Sequence, residues 1–158
     1  MEAYAETDEQ WMQLALAEAE RARDAGEVPV GAVIVRDGSF VSAGCNSQIR
    51  LHDPSAHAEL LAIRAAAAAT GNYRLTGTTL YATLEPCLMC AGAILHARIE
   101  RLVFGAADPK GGAAVSLYRV FDDRRLNHAV AVTGGVLRER CSEILSGFFR
   151  EKRLIGIS

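Results

Sequence analysis

Residues 83–90, TLEPCLMC, decide how this chain is read. The stretch leaves a β-prone run, TTLYATL at 78–84, meets Pro86, and then places Cys87 and Cys90 three residues apart. Proline is favoured at the first position of a helix, where its missing N–H costs nothing. The stretch therefore predicts a strand followed by a helix from Pro86 to about Arg98. Its two thiols share one helix face in the first turn. Free backbone N–H groups and the helix dipole favour thiolates there.

Outward from this point the chain alternates between strand and helix patterns. RLVFGA at 101–106 reads as the next strand, and a strand–helix–strand unit of this length implies a right-handed parallel crossover. Upstream, VPVGAVIVRDGSFVSAG reads as a hairpin turning at Asp37 and Gly38. Thr7 to Gln10 fits a capping box that opens a helix running to Ala25, with Trp11, Leu14, Ala15 and Ala22 buried and Gly26 as the stop. Asp53-Pro54-Ser55 opens another helix, with Ser55 as its cap and AELLAIRAAAAAT as its body; its five consecutive alanines are simply good helix formers. A short helix at 116–121, a fifth strand at 128–134 and a final amphipathic helix complete the pattern. That last helix carries Leu137, Cys141, Ile144, Leu145 and Phe148 on one side. No linker or repeat interrupts residues 1–158, which predicts one α/β domain with a mixed five-stranded sheet and helices on both faces.

Composition narrows the class. Half of the 158 residues are apolar and 23% are charged, ordinary for a globular enzyme or binding domain. No apolar run approaches the roughly 20 residues of a membrane span. The opening MEAYAETDEQ is acidic and polar, unlike a secretory signal or a transit peptide. These features predict an intracellular, cytoplasmic protein whose cysteines stay reduced, so that a close Cys pair points to metal or redox chemistry. The net charge of −2 excludes a surface that traps polyanions by bulk charge. The terminal FFREKR reads either as a solvated helix end or as a local nucleic-acid contact.

A lone CxxC suits a thioredoxin-like dithiol or half of a zinc site. His57, in the first turn of its own helix, is the clearest further ligand, so that two helix N-termini could face one metal. Three ligands leave one tetrahedral position for water, as in catalytic zinc sites; a fourth ligand, with His52 the available residue, would make the site structural. Glu59 lies two residues beyond His57, close enough at an open helix end for its carboxylate to serve as a proton shuttle. His96 and His128 have no evident partner spacing. Cys45 and Cys141 read as small buried hydrophobes.

His57-x-Glu59 followed by Pro86-Cys87-x-x-Cys90 is the signature of the zinc nucleobase deaminases. With HAEL, TLEPCLMCAGAILHARI and RLVFGAADPKGGAA, the chain resembles the bacterial tRNA-specific adenosine deaminases from GEVPVGAVIV to GFFREKR. The resemblance implies a three-layer α/β/α, cytidine-deaminase-like fold. It places one zinc per subunit on His57, Cys87 and Cys90, and the acid–base role on Glu59. It implies substrate contacts from Pro29, Val30 and Asn46, a pocket floor from the backbone near Leu84 and Glu85, an RNA-facing loop with Asp108 and Lys110, and an anticodon-contacting helix with Phe148, Phe149 and Arg150. Asp108, an acid beside a polyanion, is expected to meet a ribose 2′-hydroxyl. Two positions depart from the family's pattern: Val115 stands where glycine is expected, and Ser47 where arginine is common.

The implied reaction converts adenosine to inosine at the wobble position, 34, of a tRNA anticodon loop, inside a homodimer. A zinc-activated water attacks C6 while Glu59 carries protons from the water to the ring nitrogen and the departing amine. A deaminase of a free base or nucleoside, such as guanine or cytosine, shares the same core; a non-catalytic zinc-stapled module is the further alternative.

Overall fold

The computed structural model describes residues 2–155, and the side chains of 7–155. Strands β1 (Gly31–Arg36) and β2 (Ser39–Cys45) form the expected hairpin. Its turn residues Asp37 and Gly38 both have positive φ, 52° and 73°, which an Asp-Gly pair tolerates better than most. β3 (Thr78–Leu84) pairs antiparallel with β1 and parallel with β4 (Arg101–Ala106), and β5 (Ala131–Thr133) adds in parallel at the edge. The order is β2-β1-β3-β4-β5, a mixed five-stranded sheet as the sequence predicts. β5 is shorter than the expected 128–134. His128 precedes the ladder, and its ring N–H donates to the Ile99 carbonyl at 2.8 Å.

Alternation along β1 divides the core into two layers. Ala32 and Ile34 face helices α3 (Ala58–Thr70) and α4 (Leu88–His96). Val33 and Val35 face helices α1 (Glu2–Asp24) and α5 (Arg138–Leu154). The result is the three-layer α/β/α sandwich. Cys141 and Phe148 are buried on α5, with Leu137, Ile144 and Leu145 half-buried beside them, as the amphipathic pattern requires.

Several boundaries differ from the expectation. α1 begins at Glu2, so Thr7 and Gln10 lie inside the helix and do not cap it. The buried stripe is Met12, Ala15, Leu16, Ala19 and Ala22. Leu14 sits about 200° round from Met12 and is 46% exposed; Trp11 is half-buried. His57, not Ser55, caps α3, and Ser55 instead donates its N–H and hydroxyl to Asp53 Oδ1. Cys87, not Pro86, stands at the start of α4, because Cys87 keeps an extended backbone and only Leu88 turns helical. α4 stops at His96, and Arg98, at φ 63°, turns the chain back. Near Ser116 no helix forms; a 3-10 turn follows at Val120–Asp122. The four-residue helix α2 (Gln48–Leu51) was not expected. Buried Glu27 accepts hydrogen bonds from the Ile49 and Arg50 amides at 3.0 and 2.8 Å, holding that turn in place.

α3 comes unusually close to the sheet. A side chain at Gly44 would overlap the Ala58 carbonyl and the Ala62 amide, so glycine there admits the helix and brings its N-terminus to the end of β2. No helix among the described residues is long and apolar enough to cross a membrane.

Candidate active site

The ends of β2, β3 and β4, the start of β1 and the N-termini of α3 and α4 meet at one edge of the sheet. His57 and Cys87, the residues that open the two helices, both hold extended backbones, with φ/ψ of −78°/150° and −76°/177°. This conformation turns each side chain out of its helix toward the other. It also explains how His57 and Glu59 share a site, since only Glu59 lies in the helix proper. Cys90, one turn into α4, completes the group.

His57 Nδ1 lies 3.6 Å from Cys87 Sγ and 3.6 Å from Cys90 Sγ, and the three ligand atoms fall within 4.8 Å of one another. Zinc held tetrahedrally at about 2.1 Å from nitrogen and about 2.3 Å from sulfur separates those atoms by about 3.6 Å. The donor set and its spacing fit that ion. Among the described residues this is the one such cluster, and His52 is not in it. His52 terminates α2 in an exposed left-handed turn, which removes it as a fourth ligand. His96 is exposed and His128 is engaged with Ile99.

The charges are tuned by contact. Hydrogen bonding from the Cys90 thiol, followed by His57, pulls Cys87 down to about 3, toward the thiolate that a metal ligand must be. The Cys87 contact and burial push Cys90 up. His57 is raised, chiefly by Cys87. Glu59 is 3% exposed, and burial lifts its carboxyl to about 7. A group poised there can take and return a proton near neutrality.

The cleft over these residues holds about 140 Å³. That is well below the roughly 300–1,000 Å³ of sites for drug-sized ligands, and suits a single heterocycle. Val30, Asn46, Leu84, Glu85 and Asp108, expected from the sequence, line it together with Val28 and Gln48. Asn46 is buried, and its side-chain carbonyl accepts the Ala58 N–H at 2.9 Å, which leaves its amide N–H groups for the cleft. Pro29 is buried beside the wall without lining it. Lys110 is exposed outside the cleft, where its backbone N–H donates to Asp108 Oδ1 at 3.2 Å. Ser47, one of the two departures, is fully buried; its hydroxyl donates to the Cys45 carbonyl and accepts from Arg50.

A second hollow, of about 300 Å³, lies between Val28, Ile49 and α5. Val28 lines both spaces and so joins the cleft to the helix. Phe148 is buried, with Lys152 Nζ 5.0 Å from its ring centre; Phe149 is 45% exposed and Arg150 is exposed. Of the three aromatic and basic positions expected on this helix, Phe148 thus faces inward. Val28 and Gln48 had no signal of their own in the sequence, being one apolar and one polar residue beside a strand and a loop.

Three converging ligand atoms, beside a buried carboxyl in a base-sized cleft, would suit a metal-assisted hydrolysis of a ring amine, and the fold and cleft together define a zinc-type nucleobase deaminase. Residues 5–106 match the family model for the cytidine and deoxycytidylate deaminase zinc-binding region. A tRNA-specific adenosine deaminase of Haemophilus influenzae is 54% identical over 94% of this chain and 86% of its own length. One of Bacillus subtilis is 48% identical over 92% and 91%. A structure solved in a study of A-to-I editing by tRNA:A34 deaminases superposes with a TM-score of 0.83 at 48% identity, covering 86% of this chain and 99% of that one. The chain belongs to the cytidine and deoxycytidylate deaminase family, in the branch of the tRNA-specific adenosine deaminases.

Proposed function

We propose that this protein, as one deaminase domain, hydrolyses the adenosine at the wobble position of tRNA anticodon loops to inosine, using one zinc per chain. His57, Cys87 and Cys90 would hold the ion, which when bound would supply a water activated at neutral pH. Glu59 accepts the proton of that water and passes it to the ring nitrogen as oxygen adds to C6. It then takes the remaining proton of the hydroxyl added at C6 and delivers it to the exocyclic amine, which leaves as ammonia as the C6 carbonyl forms. Asn46 offers its amide to the base, and Val30 and Leu84 flank the ring. Asp108, at the rim, suits a ribose hydroxyl better than a phosphate.

The 54% identity to a tRNA-specific adenosine deaminase over nearly the whole chain carries the choice of RNA over a free base. The base-sized cleft and its link through Val28 to α5 support it. A base must leave its stack to be reached in such a cleft, which is least costly in a loop. We also assign a homodimer: Leu88 and Met89, beside the cysteines, are 51% and 41% exposed, an apolar surface suited to a second copy. A tRNA substrate puts the enzyme in the cytoplasm.

The test is to incubate the zinc-loaded protein with a tRNA pool, and separately with free adenosine, guanine and cytosine. Inosine reads as guanosine, so sequencing should show A-to-G conversion at the wobble position alone. Turnover of a free base with no change in the RNA would overturn the substrate reading. The same loop made of DNA should react far more slowly; equal rates on the two sugars would remove the role given to Asp108.

A further inference from the structure

The loop at 107–119, between β4 and the 3-10 turn, has no regular structure, yet it forms one rim of the cleft through Asp108. Backbone bonds such as Ala113 N–H to the Pro86 carbonyl at 2.8 Å help to order it, but most of its side-chain anchoring comes from a single carboxylate. Glu85, 2% exposed, accepts the Asp108 N–H on Oε1 at 3.0 Å. Its Oε2 accepts the N–H groups of Ala114, Val115 and Ser116 at 3.0, 2.8 and 3.0 Å, and the Ser116 hydroxyl donates to Oε1. The two oxygens therefore tie the start of the loop to its end. The Gly112 amide closes a turn inside the clasp by donating to the Asp108 carbonyl at 2.8 Å. A side chain at Gly112 would overlap the Glu85 carboxylate, so the backbone lies directly against it.

Burying a carboxylate costs more than burying an apolar side chain of similar size. No ion pair to Glu85 occurs among the described residues. Five converging donors are enough to hold the charge, and each of them belongs to the loop. A residue that served packing alone would need neither the charge nor this choice of partners.

We infer that Glu85 is a positioning residue, which preforms the 108–116 rim over the cleft and so sets how tightly the enzyme takes its target nucleotide without entering the chemistry. The inference rests on the RNA deaminase reading, in which Asp108 meets the substrate.

The experiment uses the zinc-loaded full-length protein with three substitutions. Glu85→Gln keeps the size but turns an NH2 group against backbone N–H groups. Ser116→Ala removes one donor at an exposed residue, where folding is not at risk, and Ser116→Thr restores the hydroxyl. Kinetics on an anticodon stem-loop are measured beside zinc content and amide hydrogen exchange. Glu85→Gln should raise KM by about tenfold or more with kcat within about threefold, because substrate binding loses a preformed wall while the proton path is intact. Exchange at 108–116 should rise while that of β3 and α4 stays unchanged. Ser116→Ala should move both readings in the same direction by a smaller step, and Ser116→Thr should return them. If Glu85→Gln loses zinc or does not fold, the Ser116 pair decides the question by the same two readings. Unchanged exchange and KM would overturn the role, as would a fall in kcat at constant KM. A wild-type protein that leaves the stem-loop unedited would instead overturn the substrate reading, and the exchange data would still judge the clasp.

Discussion

Two buried polar clusters lie on opposite faces of the same sheet. On the α1 face, Asp8 meets Arg101 in a two-pronged pair at 2.9 and 2.9 Å, accepts from the Tyr81 hydroxyl at 2.8 Å, and Arg101 also reaches Thr133. On the α3–α4 face, His57, Cys87 and Cys90 aim three lone-pair atoms at a common centre, with Glu59 alongside. The first cluster matches negative to positive and donor to acceptor within the protein. The second gathers ligand atoms without a protein cation to receive them. Both lie at least half-buried, so burial separates neither; whether the protein completes its own pairing does. A self-complete cluster holds the fold together, and one that converges on an outside atom performs chemistry.

The sharpest way to break this contrast is Cys87→Ala, which should abolish zinc retention and reduce editing to background, with a lower melting temperature as well, since the ion bridges α3 and α4. Metal analysis, an editing assay and a melting curve check all three. Next comes Glu59→Gln, nearly isosteric but unable to carry protons. It should keep its zinc while turnover falls by about 10³-fold; retention of a tenth of the wild-type rate would remove Glu59 as the shuttle. Asp8→Ala attacks the other cluster. Breaking a buried pair by removing one partner costs about 3 kcal/mol, which lowers the melting temperature by roughly 6–12 °C in a chain of this size. Zinc content and KM should not move, and a large change in either would mean that the two faces are coupled. The smallest effect belongs to His52→Asn, which keeps a residue tolerant of the left-handed turn. Stability should stay within about 0.5 kcal/mol and zinc should remain bound.

Much of the candidate site was legible because its signals are local. A strand, a proline and a CxxC sit within thirteen residues, and HAE follows a turn that can only precede a helix. The hairpin was readable for the same reason, through Asp37-Gly38. What escaped the sequence was settled by distant partners. Asp8 reads as a surface acid in a cap, yet it is buried because Arg101 arrives from 93 positions away. Thr7 fits a cap locally, but the preceding residues are themselves helical, so the helix begins earlier. Glu27 looks like a solvated residue after a helix stop, and only the fold brings the bare amides of Ile49 and Arg50 to it. The helix start was misplaced by two positions, from Pro86 to Leu88, a difference set by the backbone that Cys87 adopts to reach His57. A shift of that size leaves no trace in residue types.

The hairpin turn at Asp37 and Gly38 has a practical side. Because β1 runs opposite to β3 and β4, every segment that touches the cleft emerges at one rim of the sheet, while this turn emerges at the other. The turn is exposed, and Ser39 beside Gly38 offers a place for attachment that leaves the glycine's positive φ intact. A fluorophore, surface anchor or second protein module attached there would stand the length of a strand away from the reacting base. The molecule thus carries a handle remote from its working end, and immobilised or fused forms built on that handle should edit RNA as the free protein does.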